Sequence, residues 1–286
     1  MGEKIRAAAV AGSFYGKDAA LLRKQLEQLP LPPPEPGVHG CMVPHAGYVF
    51  SMPTALRTLA RARENAVTRA VIIAPSHRAY FEGAAAASFD AWETPFGPMP
   101  LDREGFELLT REAPRGIAAD DAPHVPEHAI EVELPLLHFL FGAIPIVPVL
   151  VCALNFQSAG IIGGQLAKLD TPGTLWVISG DFTHYGTSFG YTPFGLPCPR
   201  EKLNAQDRDG AERIANRDIP ALARFLNRTH ATICGIDPAV LYLRMLEHSG
   251  RRISGRVTEV TDSGAVSGDY DHVVGYAGIV FAEERA

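Results

Sequence analysis

The sequence predicts a single-domain α/β fold with a largely parallel or mixed central sheet flanked by helices. Residues 70–74 (AVIIA) form a continuous apolar run of strand length, the pattern of a strand buried on both faces. Strand-like and helix-like runs then alternate along the chain, the order that builds parallel sheets with helices on both faces. At 286 residues, 47% hydrophobic and 20% charged, the chain lies just above the range that one hydrophobic core serves. No composition shift marks a boundary, so residues 1–286 read as one domain.

The elements follow in order. Residues 18–28 place Leu21, Leu22 and Leu26 at helical spacing. Residues 30–36 are proline-rich and read as a stiff connector. A strand is expected at 40–43, a helix at 54–63 and the buried strand at 70–74. Helical patterns occupy 103–112 and 130–140, then a strand 144–151, a helix 158–168 and a strand 175–179. Helices at 211–216, 219–226 and 238–247 precede two closing strands, 256–261 and 273–281. No internal repeat is present.

Several functional classes are disfavoured. A net charge of −6 argues against nucleic-acid binding through a basic patch. No apolar run approaches the roughly 18 residues of a membrane span. The first eleven residues have no apolar signal-peptide core, and Arg6 breaks the myristoylation pattern at Gly2, so a cytoplasmic location is expected. Neither the dinucleotide fingerprint nor the Walker pattern occurs, which disfavours nucleotide cofactors. Cys41, Cys152, Cys198 and Cys234 are widely spaced with no C-x-x-C pair, and read as free thiols.

Three times a strand runs directly into a histidine-bearing loop: at Val43-Pro44-His45, at Ala74-Pro75-Ser76-His77, and at Ser179-Gly180-Asp181-Phe182-Thr183-His184. Ligands of open α/β sheets bind outside the carboxyl ends of the strands, so all three histidines should face one crevice. One such histidine is usually structural; three in the same topological place point to a site. Imidazole binds zinc, copper, nickel and iron, and a histidine pair leaves a metal needing at least one further ligand. No H-E-x-x-H or zinc-finger spacing supplies it, so it comes from a distant point in the chain. Asp181 either orients a histidine or caps the turn after its strand. Glu127 is placed to favour a helix dipole, and His128 and Glu131 to share one helical face. Phe14, Tyr48 and Tyr185 form an aromatic wall or pack in the core. His39, His138, His230, His248 and His272 read as surface or core residues.

The segments Ala11-Gly12-Ser13-Phe14-Tyr15, Pro44-His45-Ala46-Gly47-Tyr48, Pro75-Ser76-His77, Glu127-His128-Ala129-Ile130-Glu131 and Ser179-Gly180-Asp181-Phe182-Thr183-His184-Tyr185-Gly186 follow one another as in the Memo family. Cys234-Gly235 and Ser267-Gly268-Asp269-Tyr270 extend the resemblance over nearly the whole chain. Bacterial and archaeal members are also known as AmmeMemoRadiSam system protein B, which implies association with a radical SAM enzyme and an AMMECR-like protein. The family resembles class III extradiol dioxygenases, which hold Fe(II) through two histidines and a carboxylate. By that resemblance His45 and His77 are metal ligands and Cys234 stands where the carboxylate would be. The same resemblance makes His184 the acid/base, with Asp181 and His128 beside it, while its residue type and position alone suit either a metal ligand or an acid/base. A thiolate ligand favours softer ions, so copper or zinc stand beside Fe(II) as candidates. By itself a cysteine is more often a buried small hydrophobe, though near a helix N-terminus or a metal its thiol should ionise more readily.

Three functions compete. The first is a metal-dependent oxidoreductase acting on a small substrate, aromatic ones included. The second is a non-catalytic adaptor for peptides or phosphotyrosine, a role the resemblance also suggests. The third is a hydrolase with Cys234 or Ser179 as nucleophile, although no G-x-S-x-G elbow surrounds Ser179.

Overall fold

The computed structural model describes residues 2–111 and 116–284. The first half contains β1 (Ile5–Arg6), α1 (Ala19–Glu27), β2 (Val38–Val43), α2 (Tyr48–Leu59), β3 (Arg69–Pro75), β4 (Gly83–Ala86), β5 (Ala91–Trp92), β6 (Met99–Pro100), α3 (Arg103–Thr110) and β7 (Ile117–Ala119). Then come α4 (Leu134–Phe141), β8 (Ile146–Cys152), α5 (Phe156–Leu166), β9 (Thr174–Ser179), β10 (His184–Gly186) and α6 (Arg200–Ala215). The chain closes through α7 (Ile219–Thr229), α8 (Ile236–Ser249), β11 (Ile253–Asp262), α9 (Gly264–Ser267) and β12 (His272–Glu283).

The main sheet runs β10-β12-β2-β9-β3-β8-β4-β7, with β11 paired to β12. Its centre is parallel: β2 pairs with β9, β9 with β3, and β3 with β8. Both flanks are mixed, because β12 runs antiparallel to β2 and β4 antiparallel to β8. A small sheet of β1, β5 and β6 stands apart. The central strands separate two apolar cores by their alternation. Val71 and Ile73 join Val147, Val149, Trp176 and Ile178 on one face. Ala70, Ile72 and Ala74 join Leu175, Val177 and Val43 on the other. That two-sided burial is why residues 70–74 read as an unbroken apolar run.

The expected elements are present with shifted ends. Helix α2 starts at Tyr48 rather than at residue 54, with Pro53 inside it. Buried Tyr48, Met52 and Leu56 compensate for the backbone bond that Pro53 removes. Helix α6 begins at Arg200, well before residue 211, because its first turns are charged and polar and only Leu203 and Asp207 point inward. The expected 130–140 helix is a 3₁₀ turn, Glu131–Glu133, leading into α4. The last residues expected of the 103–112 helix include Glu112, which lies outside the described residues. Strands β4, β7 and β10 have no expected counterpart; they are three or four residues long, too short for alternation to register. Among the described residues no helix is long and apolar enough to cross a membrane.

Asp207 is the inward polar residue of α6. It has no exposed surface, accepts the Thr183 hydroxyl, and packs so tightly under β12 that a Cβ on Gly275 would lie 1.7 Å from its Oδ2. Burial pushes its carboxyl up from 3.8 to about 7, against the Thr183 hydrogen bonds. An acid whose folded pKa exceeds its unfolded one favours the fold when protonated. Asp207 therefore withdraws stability as pH rises from about 4 to about 7. Asp207→Asn should flatten that part of the stability profile by roughly 2–4 kcal/mol. Urea midpoints of both proteins across this range check it; parallel profiles would contradict the buried-acid account.

Candidate metal centre

The carboxyl ends of β2, β3 and β9 deliver His45, His77 and Asp181, each two residues past its strand. The fourth contribution comes from far along the chain. Cys234 precedes α8, and its loop touches the β9–β10 loop through two glycines. A Cβ on Gly180 would lie 2.3 Å from Gly235 Cα, so only glycine permits this approach. The contact carries Cys234 Sγ to 3.4 Å from His45 Nε2 and lets it accept the Asp181 N–H at 3.3 Å.

One donor atom from each of His45, His77 and Cys234 lies within 4.8 Å of the others. Metal–nitrogen and metal–sulfur bonds of about 2.0–2.3 Å put neighbouring donors roughly 3–4 Å apart, so the spacing fits a single ion. The hydrogen bonding fits too, because both histidines engage Nδ1 elsewhere. His45 Nδ1 meets Ser179 Oγ at 2.9 Å, and His77 Nδ1 meets Glu127 Oε1 at 3.0 Å. Such outer partners select the tautomer that frees Nε2 for a metal. Burial, and then the neighbouring imidazoles of His77 and His128, hold His45 well below its ordinary pKa and keep it neutral, as a ligand must be.

Cys234 is half-buried, and burial followed by the Asp181 carboxylate raises its thiol well above the ordinary value. This reverses the expectation from the helix approach. A helix terminus is worth about 0.3–1 kcal/mol, whereas burying a charge costs several. Only a bound cation would restore the thiolate.

Glu127 is a hub rather than a dipole partner. Its carboxylate is 1% exposed and accepts N–H bonds from His77 at 2.5 Å, His128 at 2.9 Å and Ala129 at 3.1 Å, besides His77 Nδ1. Burial alone would raise its pKa, but contacts with His128 and His77 outweigh this and hold it well below the usual carboxylate range. His128 Nδ1 lies 3.0 Å from the same oxygen without hydrogen-bond geometry. His77, Glu127 and His128 also cluster closely enough to hold an ion, but the N–H bonds already occupy the carboxylate.

His128 stacks on His77 with ring centroids 4.9 Å apart, and Phe14 packs against it at 4.8 Å. It does not share a face with Glu131, which is turned into the protein onto Arg6, Tyr15 and the backbone of Ala9 and Val10. Asp181 takes the His45 N–H at 2.9 Å, while His184 gives Nδ1–H to Thr232 O at 3.0 Å. Asp181 thus partners His45 rather than His184.

A cavity of about 470 Å³ adjoins these residues and is lined by His45, His77, His128, Asp181 and His184. Its aromatic walls include Phe14, Phe50, Phe189 and Tyr276. Tyr48 and Tyr185 are buried away from it, their hydroxyls spent on Val132 O and Gly195 O. The sequence reading missed His272, which lines the cavity and stacks on Phe189 at 4.5 Å. The nearby Ser267-Gly268-Asp269-Tyr270 segment was its one available signal.

A family model described as Memo-like protein matches residues 6–280. A MEMO1 family protein of Methanopyrus kandleri is 33% identical, covering 96% of this chain and 98% of its own length. The protein memo-1 homolog of Caenorhabditis elegans is 32% identical over 98% of this chain and 83% of its own. The crystal structure of an uncharacterised Escherichia coli K12 protein matches with a TM-score of 0.50 at 13% identity, over 85% of this chain and 99% of that one, a likeness of fold alone. Aligned over nearly its full length with such relatives, the chain belongs to the Memo family.

Proposed function

We propose that this Memo family protein is a metal-dependent oxidoreductase. His45, His77 and Cys234 hold one ion, Fe(II) in first place and copper or zinc as alternatives. The substrate is a small molecule, aromatic ones included. The observation that carries this reading is the convergence of three donors from remote parts of the chain, with Cys234 Sγ 3.4 Å from His45 Nε2 and the Nδ1 atoms of both histidines engaged elsewhere. When bound, a redox ion supplies one-electron chemistry and Lewis acidity beside the cavity.

The chain's own residues do the rest. His184 donates Nδ1–H to Thr232 O, which leaves Nε2 as the basic nitrogen of a cavity-lining residue. It takes a proton from a substrate hydroxyl and returns it later. Phe14 and Phe189 offer flat apolar walls for a ring and reduce access of water. Asp181 fixes the His45 backbone through its N–H and so sets the imidazole's approach.

Metal analysis of protein purified without oxygen tests the reading. Wild type should carry close to one ion per chain. His45→Ala, His77→Ala and Cys234→Ala should each lose most of it while keeping the fold. His184→Ala should retain the ion yet lose oxygen consumption with phenols. Stoichiometric metal in all three ligand variants would sink the assignment. The Cys234–His45 contact also suits a cysteine nucleophile, although the raised thiol pKa counts against it. A wild type that refuses added Fe(II) would favour that reading or the adaptor.

A further inference from the structure

Ser179 ends β9 with no exposed surface, and its Oγ has three polar neighbours. Ala129 O lies at 2.7 Å, His45 Nδ1 at 2.9 Å and Glu133 Oε1 at 3.1 Å. A serine hydroxyl has one hydrogen and two lone pairs. The carbonyl cannot donate and is the nearest neighbour, so it receives that hydrogen. His45 must then present Nδ1–H to Oγ, which is the tautomer that leaves Nε2 free. Glu133 Oε1 faces the same oxygen and needs a hydrogen of its own. An ionised carboxylate there would oppose lone pair to lone pair in a dry site.

We infer that Glu133 is a neutral carboxylic acid that donates to Ser179 Oγ and so holds in place the hydroxyl that accepts His45 Nδ1–H, a positioning residue of the metal centre. What His45 does in this inference rests on the metal reading; the proton on Glu133 rests on the hydrogen count alone.

The surroundings agree. Glu133 has no exposed surface, and its other oxygen, Oε2, makes no hydrogen bond. Burial drives its carboxyl far above the usual range, and the Asp181 carboxylate adds to it. The other titratable groups near it are Tyr48, whose buried hydroxyl is also raised and is donated to Val132 O at 2.7 Å, and His45, which meets the same Ser179 Oγ. Neither Asp181 nor Tyr48 supplies a positive charge. A neutral donor suits this position because it completes the shell of Ser179 without adding negative charge beside Asp181. The Ser179 shell is then complete, with one hydrogen donated and two accepted.

Two measurements test the inference. The first is the infrared difference between metal-free wild type and Glu133→Gln at neutral pH. It should show a carboxylic acid C=O band in wild type that the variant lacks. The second is Fe(II) titration. Glu133→Gln repeats the donation with an amide N–H and should bind close to wild type. Glu133→Ala leaves the Ser179 acceptor empty and should bind about 10-fold more weakly or worse. Absence of the band, or a Gln variant that falls as far as the Ala variant, overturns the inference. Equal binding by all three proteins overturns it as well. If wild type shows the band but takes up no Fe(II), the metal reading fails and the positioning role with it, while the Glu133 proton stands. If Glu133→Ala does not fold, the band and the Gln titration decide.

Discussion

Glu127→Gln should weaken Fe(II) binding by about 10- to 100-fold and lower stability by roughly 3–5 kcal/mol. The substitution keeps the volume and changes only charge and hydrogen pattern. In the protein, Oε1 faces the N–H groups of His128 and Ala129 together with His77 Nδ1, while Oε2 faces the His77 N–H. An amide NH₂ at either place sets donor against donor inside a site 1% exposed. His77 then loses the anionic partner that holds its tautomer. The pH behaviour follows from the direction of the shift. Glu127 is depressed in the fold, so its contribution is complete above the ordinary carboxylate range, including neutrality, and is lost progressively as pH falls from that range to the folded value. Urea unfolding and Fe(II) titration at neutral pH read the two effects separately. Wild-type stability with wild-type affinity would mean that the hub does not organise the site.

Glu131→Ala is expected to act on stability most and on the metal least. Glu131 has no exposed surface and forms an ion pair with Arg6, itself 2% exposed. It also accepts from Ala9 N at 2.7 Å, Val10 N at 2.9 Å and the Tyr15 hydroxyl at 2.7 Å. One carboxylate thus pins the segment that lays Phe14 against His128. Removing it takes the anionic partner from a buried guanidinium, which keeps its backbone carbonyls, and an acceptor from the Ala9 and Val10 N–H groups, a loss of about 3–5 kcal/mol. The Phe14 wall should loosen while His45, His77 and Cys234 stay in place. Trypsin should then cleave faster at Lys17, and Fe(II) stoichiometry should hold. Unchanged proteolysis and an unchanged denaturation midpoint would count against the pinning role.

The comparison between sequence and structure divides along range. Residues 70–74 announced the central strand because burial on both faces leaves an unbroken apolar run, and β2 and β9 were legible for related reasons. The histidine-bearing turns were legible because they sit directly after those strands, where the chain has no choice but to emerge at the carboxyl edge. Helix α6 was read short because a buried Asp207 looks like a surface residue until β12 covers it. His272 was passed over because a histidine at a strand start has no local mark of the cavity it lines.

By itself, then, the sequence determined the α/β class, the strands that carry His45, His77 and Asp181, and through its motif order the Memo family. Only the tertiary structure decided the rest. It placed Cys234 beside His45, because that contact depends on two glycines 55 positions apart in sequence (235 − 180) meeting back to back. It turned Asp181 to His45 rather than His184, and made Glu127 a hub. It also left Glu133 in a place where only a proton satisfies the serine beside it. Hydrogen-bond partners of this kind are set by the packing of segments remote in sequence, and no local pattern encodes them.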